Sequence, residues 1–421
     1  MSNEAISTAL RVSPFNLIKQ ALNCIESKTP FMVWGDPGIG KSEILRQICD
    51  MLGYHFEDIR LSQIDSIDLR GLPTKGEGDL EDAVDQLSGK PQPTVEWAVP
   101  DFLQRARKIK RLTGKNTAFF FDEINAGSPA TMAAAYQFIN DGRIGPHELG
   151  AEDIVFAAGN LDSNGGITNI MPTPLCNRFR HYILRVDVES FLEHASQNDY
   201  HPWVTGYLSV SGNQGHLQVF DPEHIMASEE KAYPTSRSWK MLSNALKNAY
   251  LKDHKKQDSS DIFASLEQDY SMKMNDLSSI AASCIGSGVA TQFSAFVKEG
   301  MDLPQAKEIL SGKCGKIDIK DSPSKQYFIA NDCCHTLKTY KDKVAELQTA
   351  KEDFSKANKE FMIAMEHYVN FAKLNFGPEM FIFAVVSTMI KRFRLLPVPG
   401  IMSQKTFDLI INEFEKAKTS R

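Results

Sequence analysis

Apolar positions along the chain follow two regimes that meet near residue 187. Before it, short apolar runs alternate with stretches of three- and four-residue apolar spacing. Phe31-Met32-Val33-Trp34, Tyr54–Leu61, Asn116–Phe121 and Asp153–Ala158 read as strands, the first and last two of a fully buried type. Residues 14–28 place Leu17, Ile18, Leu22 and Ile25 on one helical face, and 43–48 place Ile44, Leu45 and Ile48 on another. A basic helix is expected over 105–115 and an apolar-faced one over 130–140. Gly142–Glu148 reads as a hairpin tip, and the Gly-, Pro-, Asp- and Lys-rich stretch 74–95 as a surface insertion. Strands alternating with helices predict an α/β fold, a parallel sheet with helices on both faces.

After 187 helical periodicity takes over. Gly212–Gly215 and Asp253–Asp261 read as polar breaks. Over 338–375, Val344, Leu347, Phe354, Phe361, Met365, Tyr368 and Ala372 form a heptad-like stripe, with Lys351 and Asn358 as polar members. This predicts one long helix ending at Asn375-Phe376-Gly377-Pro378. An intermolecular coiled coil and packing within the chain both fit the stripe. Its polar members and limited length favour the second. A compact apolar helix is expected over 379–394, then Pro397-Val398-Pro399-Gly400 and a final amphipathic helix.

A chain of 421 residues is expected to hold two or three domains. With 42% hydrophobic and 24% charged residues, the composition is that of a soluble globular protein. The net charge of −6 is uneven: residues 1–300 carry 28 Lys+Arg against 38 Asp+Glu, and 301–421 carry 19 against 15. The whole is no polyanion binder, while the basic tail can meet an acidic partner. Seven scattered cysteines without C-x-x-C, and a polar start, predict reduced thiols in the cytoplasm. The longest apolar run, Met380–Val386, is far short of the ~20 residues that span a bilayer, so no membrane insertion is expected. Cys333-Cys334-His335 with Cys314 matches no usual zinc spacing and reads as buried thiols. Gly286-Ser287-Gly288 falls short of a hydrolase G-x-S-x-G, and H-E-x-x-H is absent.

The chemistry concentrates in Gly35-Asp36-Pro37-Gly38-Ile39-Gly40-Lys41-Ser42, which reads G-x-x-x-x-G-K-S between an expected strand and an expected helix. Glycines let backbone N–H groups turn in around a phosphate, and the helix N-terminus favours an anion. Lys41 would reach the β- and γ-phosphates and the Ser42 hydroxyl would ligate Mg²⁺. Asp122 and Glu123 close the 116–121 strand, at the sheet edge where open α/β folds bind ligands. Asp122 is suited to hold Mg²⁺ and Glu123 to polarise a water. Asn160 is either a turn residue after glycine or an amide that orients that water. Arg178 is either a salt-bridge residue or an arginine supplied to a neighbour's phosphoryl group. Pro234-Thr235-Ser236-Arg237-Ser238-Trp239 opens a helix that Thr235 or Ser236 can cap, and Arg237 in its first turn opposes the dipole. A phosphate partner is one reason for that placement.

Taken in order, these residues resemble an AAA+ ATPase of the MoxR and dynein-related group. The resemblance rests on Val33–Ser42, Leu61-Ser62-Gln63-Ile64-Asp65-Ser66-Ile67-Asp68-Leu69-Arg70-Gly71-Leu72-Pro73, Phe121-Asp122-Glu123-Ile124-Asn125, Ala158-Gly159-Asn160, Asn177-Arg178-Phe179 and Pro234–Trp239. It implies a P-loop NTPase core over 1–186, an α-helical lid over 187–300 and a C-terminal helical region over 301–421 on which it says little. It further implies Lys41 and Ser42 as Walker A, and Asp122 and Glu123 as Walker B with Glu123 catalytic. Asn160 would be sensor one, Arg178 a finger acting on the next subunit, and Arg237 sensor two. ATP and Mg²⁺ as cofactors, a homo-oligomeric, typically hexameric ring and a protein client follow from the same likeness, as does a von Willebrand type A domain partner. The segments 62–99 and 142–153 would face partners or the pore. A remodelling ATPase of chaperone type is therefore expected. The alternatives are a DNA-processing motor, supported only by the basic runs Arg105–Lys115 and Lys391–Arg394, and a nucleotide-dependent scaffold with little turnover.

Overall fold

Ten strands are found among the described residues: β1 (Leu10–Val12), β2 (Phe31–Trp34), β3 (His55–Arg60), β4 (Pro73–Gly76), β5 (Thr94–Trp97), β6 (Thr117–Asp122), β7 (Arg143–Ile144), β8 (His147–Glu148), β9 (Ile154–Gly159) and β10 (Arg180–Leu184). The structure, a computed structural model, describes residues 10–76, 94–161, 169–185, 188–213, 231–250, 270–398 and 402–419. Most of the insertion expected over 74–95, the break Asp253–Asp261 and parts of Gly212–Gly215 and Pro397–Gly400 lie outside them. Two units divide the chain, Met1–Val186 and Asp187–Arg421.

In the first unit six strands pair in the order β1-β10-β2-β9-β6-β3, every neighbouring pair parallel. Strand alternation sorts the phenylalanines of β6 onto the two faces. Phe119 and Phe121 meet Phe138 of helix Pro129–Asp141, at ring distances of 5.1 and 5.4 Å. Phe120 turns the other way, to Phe56 and Phe156 at 5.2 and 5.6 Å. Both faces are thus apolar, which is why these strands read as continuous hydrophobic runs. Helices Pro14–Glu26 and Pro129–Asp141 begin with proline behind a serine, and Ser13 and Ser128 accept hydrogen bonds from the N–H groups of Asn16 and Thr131. The hairpin expected over 142–148 is present as β7 and β8, and β4 pairs antiparallel with β5. This is the α/β class expected, with the phosphate loop between β2 and helix Lys41–Leu52.

β1 and β10 were not anticipated. β10 opens with Arg180 and His181, whose side chains bond to Asn23 and to Trp34, so its polar start has partners. It lies between β1 and β2, so β2 is flanked by β10 on one side and β9 on the other. All six strands run the same way, so β2, β9 and β6 end at the same sheet edge, the edge at which open α/β folds bind ligands.

Every described secondary-structure element of the second unit is a helix. Helices from both sides of residue 300 build it. Trp239, fully buried, packs on Tyr207 and Phe293. Gly286, at the break before helix Ser287–Met301, lies between two helices and forms no nucleophile elbow. The single helix expected over 338–375 is corrected: the chain forms two, Pro323–Thr349 and Ser355–Asn375. Lys351 takes a left-handed φ of 59° in the turn between them, and Glu352 N bonds back to Leu347 O. The stripe breaks there, and its Val344, Phe361, Met365, Tyr368 and Ala372 share one core. The apolar helix expected over 379–394 starts as an α-helical turn, Pro378–Ile382, and continues as π-helix Phe383–Arg392. Buried Arg392 donates twice to Glu189 and once to Ser209, and stacks on Phe383. No helix of the described residues is long and apolar enough to cross a membrane.

Burial holds two histidines of this unit neutral. It lowers His201 to about 3, with Lys247 adding to the shift, and lowers His335 to about 3, with His201 and Lys338 adding. Unfolded, both titrate near about 6.5. Stability is therefore complete above that value and declines as pH falls from about 6.5 towards 3, because the unfolded chain binds protons the fold excludes. Each histidine should cost about 2 kcal/mol at roughly pH 5. A urea midpoint lower at pH 5 than at 7.5 is expected, with a smaller drop in His335→Gln. Equal drops in the two proteins would contradict a buried neutral His335.

Candidate functional site

Three adjacent strands, β2, β9 and β6, end at one edge of the first unit's sheet, and each delivers polar groups there. After β2 the backbone turns through Gly38 and Gly40, at φ +79° and +94°, values that side-chain-bearing residues rarely adopt. Gly40 leads into helix Lys41–Leu52 without a side-chain cap. The first N–H groups of that helix open beside the loop, where an anion is favoured.

Lys41 is buried, and its ammonium donates to Gly35 O at 2.7 Å, Asp36 O at 3.0 Å and Asn160 Oδ1 at 2.9 Å. The first two bonds fold the side chain back over its own loop. The third ties the loop to the end of β9. Ser42 Oγ donates to Asp122 Oδ2 at 3.0 Å, which joins the loop to the end of β6. Two hard oxygen donors therefore converge beside the phosphate loop, a donor set that fits Mg²⁺. Asp122 Oδ1 accepts from Glu123 N at 2.9 Å, fixing the turn in which Glu123 takes a left-handed φ of 50°. Strain of this kind is characteristic of functional loops. The Glu123 carboxylate accepts a 2.6 Å hydrogen bond from Ser62 Oγ, beyond the end of β3.

Of the residues singled out from sequence, Lys41, Ser42, Asp122 and Asn160 form one hydrogen-bonded cluster, and Glu123 adjoins it through Asp122. Arg178 stands apart. It is exposed, with Nη2 3.4 Å from Tyr136 Oη and the guanidinium over that ring. Its turn is braced from below. Trp34 Nε1 donates to His181 Nδ1 at 2.9 Å, and His181 Nε2 donates to Cys176 O at 2.7 Å. Accepting at one nitrogen and donating at the other defines a neutral ring, and burial holds the His181 pKa below its usual value. Arg237 lies exposed in the second unit, in the first turn of helix Ser236–Tyr250. Thr235 Oγ1 caps that helix by accepting from Ser238 N at 3.0 Å. Cys333 and Cys334 are fully buried, and desolvation raises both thiols, so they act as core residues.

Sequence reasoning gave no role to Ser62, Asn125 or His181. A serine just past a strand carries no signal, and His181 sits in the strand that polar residues concealed. Asn125 stood in a motif beside louder carboxylates, and its burial shows only in three dimensions.

No protein-family model matches the chain, and no curated protein sequence does. Among solved structures it is similar to an ATPase, described as putative, from Cytophaga hutchinsonii. Identity is 19%, over 44% of this chain and 51% of that one, with a TM-score of 0.31. The chain thus spans about half the length of that relative. NtrX from Brucella abortus in complex with ADP aligns at 13% identity over 68% of this chain and 65% of that one, with a TM-score of 0.32. A proline-to-glycine mutant of RuvB from Thermotoga maritima aligns at 12% over 76% and 84%, with a TM-score of 0.29. These likenesses are remote, and the chemistry of the site is read from its own residues.

Proposed function

We propose that the chain is a Mg²⁺-dependent ATPase of the AAA+ class. The observation that carries this reading is the convergence of Lys41 with Asn160 and of Ser42 with Asp122, from three neighbouring strand ends. Loop N–H groups and the Lys41 ammonium bind the triphosphate, which replaces acceptors that Lys41 now uses. Ser42 and Asp122 would hold Mg²⁺, which when bound neutralises phosphate charge. Glu123 takes the proton of the attacking water once its carboxylate leaves Ser62, and Asn160 orients that water. Arg178, exposed and outside the cluster, suits a finger that completes a neighbouring subunit's site. That role requires a homo-oligomer, and the resemblance of the ordered motifs supports a hexameric ring. Arg237 is proposed as the lid's phosphate sensor.

On the resemblance of its ordered motifs, the protein is proposed to be MoxR-like, a cytoplasmic chaperone-type remodeller of a protein client. A von Willebrand type A domain protein is the partner class that this implies. The nucleic-acid alternative draws less support. Within its basic runs, Arg392 and Arg394 pair with Glu189 and Glu193, and Arg105 pairs with Glu57 and Asp101.

Lys41→Ala should abolish ATP binding measured by calorimetry, and unchanged affinity would remove the basis of the proposal. Glu123→Gln should bind ATP normally and lose at least about a hundredfold in turnover. Wild-type turnover in that variant would require another base. Arg178→Ala alone should be inactive, and mixing it with Lys41→Ala subunits should restore partial activity. No recovery on mixing would place Arg178 in a local structural role.

A further inference from the structure

Beside the acidic pair sits a buried amide to which the proposed hydrolytic scheme gives no part. Asn125 lies in the 3-10 turn Ile124–Ala126 and is 2% exposed. Its side chain spans one residue's main chain: Oδ1 accepts from Asn160 N at 3.1 Å, and Nδ2 donates to Asn160 O at 2.8 Å. The β6–β9 ladder runs out at Phe121 and Ala157, so Asn160 lies past the last rung on that side. Asn125 supplies the rung that β6 cannot. Leaving that N–H and C=O unpaired against the buried Asn125 would cost the fold, and an amide is the side chain that offers a donor and an acceptor together.

Two further features hold the clamp. Asn125 O accepts from Asn169 N at 2.6 Å, and Asn169 Nδ2 donates to Gly127 O at 2.9 Å. Gly159 leaves the room it needs: a Cβ there would come within 2.9 Å of Asn125 Oδ1 and 2.6 Å of Met32 Cε. The fixed main chain aims Asn160 Oδ1 at Lys41 Nζ, 2.9 Å away. A continuous path thus runs from the turn bearing Asp122 and Glu123, through Asn125, to Asn160 and the phosphate loop.

We propose that Asn125 is a positioning residue that registers Asn160 against both Lys41 and the acidic pair, and so sets the geometry in which the water attacks. This rests on the ATPase reading above. Asn125 acts through Asn160, so its loss should lower kcat and leave ATP binding in place.

The test compares kcat, KM and ATP affinity for wild type, Asn125→Ala, Asn125→Asp, Asn160→Ala and Asn125→Ala/Asn160→Ala, below each protein's unfolding temperature. Asn125→Ala should lose about ten- to a hundredfold in kcat, with ATP affinity within about threefold of wild type. The double variant should be no slower than Asn160→Ala. Asn125→Asp keeps the acceptor for Asn160 N, loses the donor and sets a carboxylate against Asn160 O. It should also lose kcat, and it serves if the alanine variant does not fold. Wild-type kcat in a folded Asn125 variant, or additive losses in the double variant, would overturn the proposal. Lys41→Ala separates the two levels. If it abolishes turnover while Asn125→Ala keeps wild-type kcat, the positioning role alone fails. If Lys41→Ala turns over normally, the reading of this site as the ATPase centre fails and the positioning role falls with it.

Discussion

The Lys41 ammonium is where the first unit's sheet, loop and polar network meet. A buried cation needs close oxygens, and three are supplied: two carbonyls of its own loop and the amide of Asn160. The carbonyl bonds require the backbone to turn back on itself, which the left-handed glycines allow. The amide bond requires β9 to lie beside β2 in register, with Trp34 opposite Gly159. These oxygens hold the ammonium in the ligand-free protein, and on the proposed reading a phosphate takes the place of acceptors it now uses.

The site is built in two halves on one frame. Ser42 and Asp122 bring together the oxygens suited to a hard cation, while Glu123 is held to one side by Ser62. On the proposed reading, the base rests on Ser62 beside the oxygens suited to a cation. The polar groups reach this edge because the apolar strands behind them are fixed by aromatic packing on both faces, from Phe119, Phe120 and Phe121 outward.

Much of this was legible in the sequence where burial and chemistry coincide. β2, β6 and β9 are covered on both faces, so their apolar runs announced them, and the carboxylates of Asp122 and Glu123 marked where one ends. β10 was hidden because Arg180 and His181 find partners within the fold, a fact no periodicity records. The break at 350–354 was missed for a related reason. Polar residues at Lys351 and Asn358 can be tolerated in a long stripe or can mark its end, and the left-handed Lys351 makes it the end. Asn125 shows the same limit at the site: its type and position were visible, and its two bonds to one backbone residue were not. In the second unit the basic run 391–394 stood as support for a nucleic-acid partner, yet Arg392 is buried and pairs with Glu189, some two hundred residues away in sequence.

The central claim is that this cluster hydrolyses a nucleoside triphosphate with a divalent cation. Phosphate release from ATP by the purified wild-type chain, with Mg²⁺ present and with it chelated, tests that most directly. Steady release that stops on chelation is the expected result. A chain that binds ATP tightly and releases no phosphate in either condition would contradict the account.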